Sequence, residues 1–96
     1  MQSTNIDTSR LRTLCENQWE ENIIPSLEEY IRIPALSPSF DANWAENGFI
    51  DEAVNHIADW CRKQPIEGLQ LQILRLEGRT PLIHMFVPGQ TDEVVL

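Results

Sequence analysis

Between Pro65 and Leu69 the apolar residues of this 96-residue chain change their spacing, from every third or fourth position to every second. A period near 3.6 puts side chains on one face of a helix, and a period of 2 puts them on one face of a strand. The switch therefore divides the chain into a helical front and a strand-forming rear. The fold class it predicts is α/β: two helices, a β-hairpin and the start of a third strand.

The first helix is predicted from about Thr8 to Ile33. Leu11, Cys15, Trp19, Ile23, Leu27 and Ile31 form an unbroken i, i+4 series, with Leu14, Ile24 and Tyr30 on its flanks. Arg12, Glu16, Asn17, Glu20, Glu21, Glu28 and Glu29 make the solvated face. Asp7 or Thr8 can cap the start by accepting a hydrogen bond from a free backbone N–H. Pro25 lacks a donor and crowds the carbonyl four residues earlier, so a kink or a brief break is expected there. Pro34 ends the segment, because the residue before a proline is driven out of the helical region.

Residues 34–48 read as a loop rich in Pro, Ser, Asp and Asn, closed by the turn signal Asn47-Gly48. Phe40 and Trp44 are expected to pin it onto a neighbouring surface. A second helix is predicted from about Phe49 to Gln64, with Ile50, Ala53, Val54, Ile57, Ala58 and Cys61 as its apolar stripe and Pro65 as its stop. Asp51 and Glu52 in the first turn and Arg62 and Lys63 in the last suit the helix dipole. Leu69, Leu71 and Ile73 then alternate with Gln70 and Gln72 in a strand with one exposed face, running on to Leu76. Glu77-Gly78-Arg79-Thr80-Pro81 is a turn. Leu82–Val87 is a second strand, apolar everywhere but His84, and is expected to be covered on both faces. A third strand is expected to open at Glu93-Val94-Val95-Leu96. A domain seldom stops inside an apolar strand, so the chain reads as the front of something larger.

Size and charge exclude several functions. A chain this long supports one domain at most, burying about 65% of the surface its unfolded form exposes. Fifteen Asp and Glu against seven Lys and Arg give a net charge of −8, which argues against nucleic acid as a partner, because phosphate binding depends on clustered cations. No apolar stretch approaches the ~20 residues that cross a bilayer, so no membrane partner is expected. The start carries no basic flank and no apolar run, so no secretory signal is visible. Cys15 and Cys61 lack CxxC spacing and lie on the apolar sides of their helices. They read as reduced core residues of a cytoplasmic protein.

The chemistry-bearing residues are few. Glu52, His56 and Asp59 share one helix face at a spacing that suits zinc, but that face lies away from the Ile50–Val54–Ile57–Cys61 stripe, so ordinary exposed polar residues account for it. His84 reads as a core histidine bonded to a neighbouring carbonyl. A Cys61–His84 nucleophile pair needs a thiolate-stabilising setting that nothing indicates. The pairs Glu20-Glu21, Glu28-Glu29 and Asp51-Glu52 occupy adjacent helical positions that point apart, so they cannot work as acid and base. Trp19, Trp44 and Trp60 are expected as core and loop anchors. The four glycines are isolated turn residues, and there is no glycine-rich phosphate loop.

Two stretches carry a resemblance. Tyr30-Ile31-Arg32-Ile33-Pro34-Ala35-Leu36-Ser37-Pro38-Ser39-Phe40-Asp41 resembles the opening motif of a zinc-dependent peptidase family. That family holds aminoacylase, carnosinase-type dipeptidases, glutamate carboxypeptidase and succinyl-diaminopimelate desuccinylase. Glu77-Gly78-Arg79-Thr80-Pro81-Leu82-Ile83 with Pro88-Gly89 is similar to the family's hairpin, and Glu93-Val94-Val95-Leu96 to the strand that leads into its Tyr-Gly-His-x-Asp segment. The likeness runs from about Leu14 to Leu96, and the loop around Phe40 and Trp44 leans toward the dipeptidase-like branch.

The resemblance implies a partial catalytic domain spanning residues 1–96: the N-terminal part of a three-layer zinc-peptidase domain, with no second domain present. In the family two zinc ions polarise the scissile amide and activate a bridging water, which a glutamate deprotonates. The first metal ligand is the histidine of His-x-Asp, and every other ligand follows it, so none has a counterpart here. Neither His56 nor His84 stands in the required context. The expected catalytic, cofactor-binding and metal residues of this chain are accordingly none. The implied partners are the remainder of the catalytic domain and, for the parent, a peptide or acyl-amino-acid substrate and two zinc ions. The alternative is a self-standing small acidic α/β protein that binds a partner through its open sheet edge.

Overall fold

A computed structural model describes residues 5–96, and the chain falls into two compact units, Met1–Arg32 and Ile33–Leu96. Within the first unit, α1 (Thr8–Gln18) passes through a π-helical turn (Trp19–Ile23) into α2 (Ile24–Arg32). Asp7 is the cap: its Oδ1 accepts from the backbone N–H groups of Ser9 and Arg10, both at 3.1 Å. Pro25 does not break the helix. The chain instead widens in the turn just before it, where the Ile24 N–H bonds to the Trp19 carbonyl, one residue further back than in an α-helix. A wider turn is one way to relieve the crowding that a proline ring imposes on the carbonyl four residues earlier.

The apolar series of this unit does not stay on one line. At 3.6 residues per turn each i, i+4 step advances by about 40° around the axis, and the wider turn over Trp19–Ile23 sets that one step back. Leu11 and Trp19 are about half exposed, Ile31 is 76% exposed, and no described residue of the unit is buried. Cys15, expected in a core, is exposed with a free thiol. Trp19 likewise anchors no core.

The second unit begins with a loop, passes through one short helical turn, α3 (Trp44–Asn47), and enters α4 (Phe49–Arg62). α3 falls where the sequence predicted only loop. Gly48, at φ 76°, ends α3 and starts α4, a left-handed conformation that glycine adopts without strain. Acidic Asp51 and Glu52 sit in the first turn of α4 and Arg62 in its last, as the dipole favours. Two strands follow, β1 (Gln70–Leu74) and β2 (Leu82–Phe86), paired antiparallel with Gln72 opposite His84. The turn between them is closed by the Arg79 N–H on the Leu76 carbonyl at 3.1 Å, with Gly78 at φ 75°.

Residues opposite one another in an antiparallel pair share a face. Leu71, Ile73, Ile83 and Met85 therefore form one side of the hairpin, and Gln70, Gln72, Leu74, Leu82, His84 and Phe86 the other. On the first side Leu71, Ile73 and Ile83 are half-buried. α4 packs on both strands and contributes Ala53 and Ala58, the only buried side chains among the described residues, with Ala58 fully enclosed. Alanine suits this contact because it lets helix and sheet backbones come close.

Three expectations for the rear of the chain are corrected. β2 is not covered on both faces: Leu82 is 60% exposed and Phe86 46%. His84 is not a core histidine but an exposed residue, because the register places it beside Gln72 on the open face. The third strand does not form in residues 93–96, which are irregular and exposed; there the Glu93 N–H bonds locally to Thr91 Oγ1 at 3.3 Å instead of to a ladder. The mixed α/β character stands, with a two-stranded sheet.

Two substitutions test this account. Ala58→Leu overfills the helix–hairpin contact and is expected to lower the stability of the second unit by about 1–3 kcal/mol, read from the denaturant midpoint of Trp fluorescence. Asp7→Ala removes the first unit's cap at a cost of about 1 kcal/mol, visible as lost helical circular dichroism.

Candidate functional site

The chemistry-bearing residues singled out in the sequence do not converge. Asp59 Oδ1 is held by Arg62 Nη1 at 3.3 Å, one turn along the same helix, while Glu52 is exposed and His56 half-buried. No three His, Cys, Asp or Glu side chains among the described residues are grouped to hold a metal ion. Cys61 is half-buried and free, and His84 lies on the open face of the hairpin. Glu20, Glu21, Glu28, Glu29, Asp51 and Glu52 are all exposed. Asp51 has a partner from another element: its Oδ1 lies 3.4 Å from Arg75 Nη2, beyond the end of β1. With both side chains about half exposed, this pair contributes well under 1 kcal/mol.

What the second unit does build is a hollow around Trp44. Its first wall is the loop, and the loop is organised by Asp41. One carboxylate oxygen accepts from the Asn43 N–H at 3.0 Å and the other from Asn47 Nδ2 at 2.6 Å. The Asp41 carbonyl accepts from the Trp44 N–H at 3.3 Å, and the Asp41 N–H itself bonds to the Ser37 carbonyl at 3.1 Å. Asp41 thus bonds to both sides of itself and sets the direction in which Trp44 enters α3. Phe40, expected as a second anchor, is 82% exposed. Polar side-chain bonding to the backbone shapes this loop, rather than burial of Phe40.

The second wall is the hairpin turn. Leu74 and Leu82, the cross-strand pair that closes the ladder, lie beside it with Arg75, Leu76 and Arg79. The result is an open hollow of about 750 Å³ between Trp44 and the turn. A smaller one of about 220 Å³ shares Trp44, Arg75 and Arg79 and reaches Ile50 and Asp51.

Trp44, an expected loop anchor, and Arg79, a turn residue, line one hollow, which no pattern in the sequence announces. Arg75 and Arg79, four residues apart around Gly78, are only a partial signal, since a glycine-centred turn brings its flanks together. Among the described residues no helix is long and apolar enough to cross a membrane. No protein-family model matches this chain, and no curated protein matches it.

The loop makes a direct prediction. Asp41→Ala removes both side-chain bonds and is expected to speed amide exchange at Asn43 and Trp44 by about tenfold, the equivalent of roughly one to two kcal/mol of local hydrogen bonding. Exchange in β1 and β2 stays unchanged, which nuclear magnetic resonance can read residue by residue.

Proposed function

We propose that this chain is the N-terminal scaffold of a metal-dependent peptidase or dipeptidase, part of a three-layer catalytic domain, and is itself inactive in amide hydrolysis. The observation that carries the reading is the hairpin. An antiparallel pair joined through Glu77–Pro81 occupies the stretch in which the sequence resembles the peptidase family's hairpin. The open face of that hairpin adds support. Leu74, Leu82 and Phe86 are 45%, 60% and 46% exposed there, on a side that a further layer of a larger domain covers.

The donor set does not fit the family's two zinc ions. Among the described residues no three His, Cys, Asp or Glu side chains are grouped so as to hold a metal ion. No step of hydrolysis is therefore assigned to this chain. Its part is structural: α4 and the hairpin form a helix–sheet layer onto which the rest of the domain docks. The remainder of the catalytic domain is the partner in this reading, with a peptide or acyl-amino acid as the parent's substrate and the cytoplasm as its location. Neither nucleic acid nor membrane enters the reading.

The native protein in its source cells is the test. Its intact mass is expected to be several times 11.1 kDa, with sequence beyond Leu96 reaching a His-x-Asp segment, and the purified native protein is expected to cleave dipeptides in a zinc-dependent way. The 96-residue chain alone is expected to show no hydrolysis with added zinc. A native mass of 11.1 kDa would overturn the proposal and turn attention to a partner at the sheet edge.

A further inference from the structure

We propose that the hollow between Trp44 and the hairpin turn binds a small monocarboxylate with an apolar, preferably aromatic, body. The site is built from both walls of the second unit. Trp44 with Leu74 and Leu82 gives its lining an aromatic and an aliphatic part, and Arg79 lines it as well. About 750 Å³ of open space lies within the range of small-molecule sites.

The charges select the ligand. Two cations line the hollow, but Arg75 is already matched by Asp51, with Nη2 and Oδ1 3.4 Å apart. Arg79 has no side-chain hydrogen bond or ion pair among the described residues, and only its backbone N–H is engaged. Among the residues that line the two hollows, Arg79 is thus the one charged side chain without a matching charge. That suits a single carboxylate, which a guanidinium grips through two parallel hydrogen bonds. A dianionic phosphoryl group fits worse: it brings a second negative charge toward Asp51 in a unit where nine Asp and Glu face four Lys and Arg. The apolar lining supplies the second half of the selection, because a fully hydrophilic acid such as acetate leaves Leu74, Leu82 and the indole wet. An aromatic acid stacks on Trp44 while its carboxylate reaches Arg79. The proposal uses neither zinc nor hydrolysis, and it is compatible with a further layer on the hairpin only where that layer stops short of Arg79.

The experiment is a titration of the 96-residue chain with phenylacetate at constant ionic strength, followed by ¹H–¹⁵N spectra. Saturable shifts are expected at the Trp44 indole N–H and at the amides of the turn around Arg79 and Thr80. The Trp19 and Trp60 indoles should stay still. Phenylacetamide, the same body without the charge, should give no saturable shift. Arg79→Gln is expected to weaken phenylacetate binding by about tenfold, in line with the loss of a charge-assisted contact. Arg62→Gln, which removes an equal charge away from the hollow, should leave binding as it is. Shifts that rise without saturation, that phenylacetamide reproduces, or that survive Arg79→Gln undiminished would overturn the proposal. So would a spectrum without dispersed resonances for residues 33–96, since the hollow exists only in the folded unit.

Discussion

The contact between α4 and one face of the β1–β2 hairpin holds the second unit together. A two-stranded hairpin is marginal in water on its own, because each strand has only one partner and both faces are wet. Ala53 and Ala58 let a helix approach closely enough to cover Leu71, Ile73 and Ile83, and this gives the hairpin its dry side. The contact also fixes the site. With α4 seated on the strands, Gly48 and α3 are placed at its N-terminal end, and Trp44 is brought toward the turn that joins β1 to β2. The hollow is a consequence of that packing and needs no core of its own.

Local order in the sequence was readable where one residue type dictates one outcome. Asp7 as a cap, Gly48 and Gly78 in turns, Pro34 and Pro65 as stops, and the Gln70–Leu74 alternation all follow from the chemistry of single residues or of nearest neighbours. The failures share a different cause. His84, β2 and Cys15 have apolar surroundings in the sequence, yet an apolar neighbour in sequence is not a neighbour in space. The face of β2 that carries His84 is decided by register with β1, and register depends on where the turn closes. Cys15 stands on an apolar stripe in a unit where no described residue is buried, so its side of the helix is exposed like the rest.

The same distinction explains the candidate site. Arg79 and Trp44 belong to two separate stretches of the resemblance and Arg75 to neither, and only the turn and the loop bring the three to one hollow. Asp41 is the residue whose role was least visible. In the sequence it is one loop residue among many, yet it organises the chain from Ser37 to Asn47 through backbone and side-chain bonds together. Asp and Asn at turns act in this way by competing with regular secondary structure for backbone groups. Composition alone cannot say which of several such residues will take that part.

The exposed apolar positions on the outer face of the hairpin bear on both functional readings. Isolated apolar residues on a surface are ordinary, but Leu74, Leu82 and Phe86 lie on one side of two adjacent strands. Covering such a face stabilises a sheet by roughly 25 cal/mol for each Å² of apolar surface removed from water. A scaffold inside a larger domain gains this from the next layer. A binding module gains it only while its partner is present. The end of that face nearest the turn is where Leu74 and Leu82 meet the hollow. A layer laid over the hairpin, whatever its source, must therefore either close the hollow or stop short of Arg79. The guanidinium favours the second arrangement, because burying an unpaired cation costs more than the neighbouring leucines return.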